Sequence, residues 1–86
     1  MLYPYAEFPN GLIITYTQPI EKDGKVTVHV NFEIPTDYGF NEGRYSLPDY
    51  EEIFNYGFTP SETKNNLRFL KSNAELIWKE AQEKDK

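Results

Sequence analysis

Two hydrophobic periods divide the chain. From Lys25 to Ile34 apolar and polar residues alternate strictly, with Val26, Val28, Val30, Phe32 and Ile34 on one side and Thr27, His29, Asn31 and Glu33 on the other. That period predicts a strand over 25–34 with one face buried and one face wet or facing a partner. Pro35 predicts its end, because proline cannot donate to a ladder. Residues 12–17 are rich in β-branched side chains and predict a second strand. The aromatic stretch 2–8 predicts an edge strand, since it contains Pro4. Asn10-Gly11 and Asp23-Gly24 supply the left-handed positions that tight turns need. Residues 36–43 hold two glycines and read as a loop, with short strands over 44–47 and 52–56.

The period changes after Gly57. Thr59, Pro60 and Glu62 form a capping box with proline in the first turn, and no Gly or Pro follows. A helix over 60–83 is predicted. Leu67, Leu70, Ala74, Ile77, Trp78 and Ala81 fall within about 100° of arc, the width of a core-facing stripe. Phe69 and Leu76 lie nearly opposite that stripe, seven residues apart. A small domain has little material for a second layer on the helix. The expectation is that Phe69 and Leu76 serve self-association in a homodimer; the alternative is two scattered exposed hydrophobes. The whole reads as a single α+β domain over 1–86, an antiparallel sheet of four to five strands packed on one long C-terminal helix.

Charge adds a second pattern. The net charge is −5, and residues 33–52 carry all of it, with Glu33, Asp37, Glu42, Asp49, Glu51 and Glu52 against Arg44 alone. The same region is aromatic, with Tyr38, Phe40, Tyr45, Tyr50, Phe54, Tyr56 and Phe58. Carboxylates steer a basic partner, and a buried Tyr or Phe anchors it. The expected partner-binding residues are Asp37, Tyr38, Tyr45, Asp49, Tyr50, Glu51 and Glu52. The plainer alternative is loop carboxylates that keep the domain soluble over aromatics that face the core. An acidic chain argues against direct nucleic-acid binding, which needs a basic surface.

Candidate chemistry is sparse. There is no Cys and one His, which excludes disulfides, thiolate zinc and cysteine nucleophiles. Glu51 and Glu52 are adjacent on a strand and point to opposite faces. Asp49 and Glu51 share a face and suit a hard cation, or form a solvated acidic turn. His29 shares its face with Thr27, Asn31 and Glu33, a set with acid–base potential, although a lone strand histidine is more often passive. No phosphate-binding loop or nucleophile elbow is present. A non-enzymatic chain without cofactor or metal is expected. The longest apolar run, Leu12-Ile13-Ile14, is too short for a membrane span or a signal segment, so a cytoplasmic location is expected.

Residues 47–63 resemble the core of the HicB-like antitoxins. Leu47-Pro48-Asp49 matches the turn that leaves the family's second strand, and Gly57 and Thr59 match the residues before its helix. Asn73 to Trp78 is similar to the family's helix, and Val26 to Phe32 to its first strand. The similarity extends over about residues 25–83. Glu51-Glu52 replaces the family's Pro-Gly. The strand after the helix and the C-terminal DNA-binding segment have no counterpart, while residues 1–20 are extra. The resemblance implies a protein that neutralises a small basic RNase toxin by contact, without operator binding. An acidic phage-type inhibitor that mimics nucleic-acid charge, and a small enzyme using His29, are the alternatives.

Overall fold

The structure is a computed structural model that describes residues 1–84. It contains β1 (Tyr3–Glu7), β2 (Ile13–Tyr16), β3 (Ile20–Lys22), β4 (Lys25–Thr36), β5 (Gly39–Leu47), β6 (Glu52–Tyr56) and α1 (Pro60–Glu83). The strands form one antiparallel sheet in the order β1-β2-β4-β5-β6, with β3 beside the start of β4. The helix covers one face. No helix among the described residues is long and apolar enough to cross a membrane.

β4 is the spine of the sheet and pairs with three strands. Its partner chain is broken at Pro19, between β2 and β3. Thr17 repairs the gap: its N–H donates to the His29 carbonyl at 3.0 Å, and its hydroxyl accepts from the His29 N–H at 3.1 Å. Asp23 and Gly24 both take left-handed φ, 56° and 76°, and close the β3–β4 hairpin as Asp-Gly predicts.

Strand lengths differ from the expectation. β4 runs through Pro35 to Thr36, and β5 begins at Gly39 rather than Arg44. Pro35 sits beside the hairpin tip, opposite Phe40, where the ladder is about to end. The glycines of the supposed loop belong to the strand. A Cβ on Gly43 would lie 3.3 Å from the Phe58 ring and 3.4 Å from the Tyr45 hydroxyl, so Gly43 admits Phe58 against the sheet.

The core joins Ile14, Tyr16, Val28, Val30, Phe32, Tyr45 and Leu47 of the sheet to Leu70, Ile77 and Ala81 of α1, with Phe58 at the entry to the helix. Val26 was expected there, but it lies toward the β3–β4 turn, past the helix cover, and is 39% exposed. The capping box forms as predicted. Glu62 N–H donates to the Thr59 hydroxyl at 3.2 Å, and Thr59 N–H donates to the Glu62 carboxylate at 2.8 Å.

The helix buries a wider arc than its apolar residues mark. Asn66 is buried and Asn73 half-buried, and both lie between Leu70 and Phe69 on the helical wheel. Asn73 accepts from the Tyr5 hydroxyl at 2.7 Å and donates to the Phe69 carbonyl at 2.9 Å. Phe69 therefore faces the sheet. Its ring meets Tyr5, Phe8 and Phe32 edge-on at centroid distances of 6.3, 5.5 and 6.3 Å. The expected self-association seam of Phe69 and Leu76 does not exist as a pair. Phe69 closes the core over β1, and Leu76 alone is exposed.

Candidate functional site

Among the described residues, no element covers the face of the sheet away from α1. The strand pairing arranges its side chains in rows that cross the sheet. One row runs Pro4, Thr15, Asn31, Arg44 and Phe54. The next runs Glu7, Ile13, Glu33, Glu42 and Tyr56. Pro35 and Phe40 follow, toward the hairpin tip. His29 and Ser46 form the row on the opposite side.

The middle row is polar and internally paired. Arg44 Nε donates to Asn31 Oδ1 at 3.2 Å, and its guanidinium carbon stands 5.1 Å from the Phe54 ring centroid. Neighbouring side chains bury Asn31 to 4% exposure although nothing lies above the face. Phe54 and Tyr56 lie ring to ring at 5.2 Å.

The next row is unlike it. Glu33 and Glu42 are direct cross-strand partners, Glu7 stands in the same row, and no lysine or arginine does. Like charges placed opposite one another destabilise a strand pair. Phe40 and Tyr56 flank them, 59% and 67% exposed. Acid and aromatic therefore meet on one surface.

A polar cleft of about 500 Å³ opens at the His29 end, lined by Thr27, His29, Ser46, Asp49, Glu51 and Ile53 among others. Ser46 donates its hydroxyl directly to the Asp49 carboxylate. That bond holds Asp49 below the ordinary carboxylate range, against the effect of burial. Burial, and then Arg44, push His29 below its ordinary value. A serine nucleophile needs histidine between hydroxyl and acid; here serine and acid bond to each other. Among the described residues no three His, Cys, Asp or Glu side chains converge to hold a metal.

The residues expected to bind a partner do not form one patch. Asp37 and Tyr38 make the β4–β5 turn, where Tyr38 is fully exposed. Asp49 and Glu51 lie past the other end of β5, and nine residues of strand separate the two ends by roughly 30 Å. Glu52 pairs with Tyr45 and borders the helix side, so Glu51 and Glu52 do diverge. Tyr50 turns toward α1. It lines an apolar cleft with Leu47, Pro48, Ala74 and Trp78, and Lys71 Nζ stands 5.6 Å from its ring centroid. Tyr45 is a correction: it is 0% exposed, edge-on to Phe32 at 5.5 Å, and anchors nothing outside the chain. The acidic–aromatic surface that does assemble uses Glu7, Glu33, Phe40, Glu42 and Tyr56 instead. The β4 alternation marked Glu33 as outward. Reading Glu42 and Phe40 outward needed the register of β5, which its glycines hid.

Compared with family models, curated proteins and solved structures, the chain matches none.

Proposed function

We propose that the chain is a non-enzymatic protein-interaction domain that docks a basic partner on its open sheet face. The observation that carries this reading is the row of Glu7, Glu33 and Glu42 bordered by exposed Phe40 and Tyr56. A like-charged cross-strand pair costs stability in the free protein. A cationic surface laid on the row reverses the sign of that cost. The carboxylates steer the encounter, and the aromatics supply contact area. Two copies set face to face about an axis through this row would oppose carboxylate to carboxylate, so the reading takes a different, basic protein as the occupant. A HicB-like antitoxin holding a small basic RNase toxin is one protein of this kind, and an acidic inhibitor of a nucleic-acid enzyme is another.

The test is a titration of the protein with a lysine oligopeptide, followed by nuclear magnetic resonance. Resonances of Glu7, Glu33, Glu42 and Tyr56 should shift, and the shifts should weaken at physiological ionic strength, where the screening length is about 8 Å. Shifts confined to other surfaces would defeat the reading.

A further inference from the structure

We propose that the open face receives an arginine side chain of its partner, stacked on Tyr56 with its fork toward Glu42 and Glu33. This rests on the docking reading above and names the chemical group that the face selects. The fold already contains the arrangement one row away. There, the Arg44 guanidinium stands over Phe54 at 5.1 Å while its Nε donates to Asn31 across the strands at 3.2 Å. A ring on β6, a cation above it and a cross-strand acceptor make up that unit. The Tyr56 row holds the ring and the acceptors without the cation. Tyr56 is the direct partner of Glu42, and Glu42 of Glu33. Directly opposed residues have Cβ atoms about 4.5–5.5 Å apart, so one planar group reaches both the ring and a carboxylate.

Arginine fits this row better than lysine. A guanidinium presents its flat face to the ring and its edge to a carboxylate at the same time. An ammonium is a compact, strongly hydrated point charge and lacks that division of labour. Phe40, 59% exposed in the following row, offers apolar surface to the aliphatic stem. Arg44 cannot fill the Tyr56 row, because Asn31 and Phe54 hold it in its own.

The experiment titrates the full chain with an arginine oligopeptide and a lysine oligopeptide of equal length. The arginine peptide should bind roughly two- to fivefold more tightly, the ratio that one exposed cation–π contact produces. Tyr56→Leu should abolish that preference and keep the binding of the lysine peptide. Tyr56→Phe should keep the preference. Glu33→Gln with Glu42→Gln should weaken both peptides without lowering the denaturation midpoint, which shows that the fold is intact. Equal binding of the two peptides by the native chain, or a preference that survives Tyr56→Leu, overturns the arginine site and leaves the docking reading standing. No shift at Glu33, Glu42 or Tyr56 with either peptide overturns the docking reading itself.

Discussion

Tyr45 shows how one polar atom limits a core. Its hydroxyl is buried beside Asn66 and Thr63, yet among the described residues neither it nor the Asn66 amide nitrogen has a hydrogen bond of good geometry. Burial raises the phenol above its ordinary value, so the group stays neutral. A buried polar atom left unpaired costs about 1–3 kcal/mol. Tyr45→Phe keeps the edge-on contact with Phe32 and removes the hydroxyl, so chemical denaturation should show a raised midpoint. Two titrating residues near the same end of β5, on the sheet's other face, act through pH. Asp49 and His29 both have folded values below their ordinary ones. In each case the unfolded chain binds the proton more readily, so stability rises with pH across the window. For His29 that window lies below 6.5, and for Asp49 below 3.8. Acidifying from pH 7 should lower the midpoint first through His29, and His29→Gln should flatten that first decline. Ser46→Ala should move the Asp49 titration upward, read by its side-chain carbon resonance.

At the scale of elements, α1 is the most legible part of the chain and also the source of the largest misreading. Thr59, Pro60 and Glu62 fixed its start, and Thr59→Ala should cost about 1 kcal/mol in denaturation. The buried face was harder to see. Counting apolar residues places the stripe between Ile77 and Trp78 on the helical wheel and leaves Phe69 outside. Asn66 and Asn73 extend it, and an asparagine carries no apolar signal until its bonding partner is known. Phe69→Ala should therefore destabilise by about 2–3 kcal/mol, somewhat less than for a fully buried ring. Leu76→Ala should stay within about 0.5 kcal/mol. The pair thus separates core from surface in one measurement. β4 was legible because its alternation is uninterrupted. β5 was not, because Gly39 and Gly43 resemble turn residues until Phe58 is seen to need the space over Gly43. The acidic–aromatic surface was visible as composition. Its membership depended on register, which moved Tyr45 inward and brought in Glu7, 26 positions before Glu33 in the chain.

On the scale of the whole molecule, the two faces of the sheet differ in what they do for the fold. One face holds the fold together under α1, and the other keeps a charge arrangement that the fold would be better without. Glu42→Gln should therefore raise the denaturation midpoint by a few tenths of a kcal/mol, the size of a cross-strand pair term, while weakening the hold on a basic partner. Stability and binding move in opposite directions for that single change, and calorimetry beside the peptide titration reads both.

The order of the elements has a consequence during synthesis. All six strands precede the helix that covers them. Until the ribosome has made the 24 residues of α1, which takes about one to five seconds at ordinary elongation rates, the apolar face of Ile14, Val28, Val30 and Phe32 has no lid. A nascent chain ending at Thr59 and held clear of the ribosome on a linker should bind a general chaperone, and one that extends through Glu83 on the same linker should release it. Synthesis of α1, rather than any strand pairing before it, sets the moment at which this apolar face is covered.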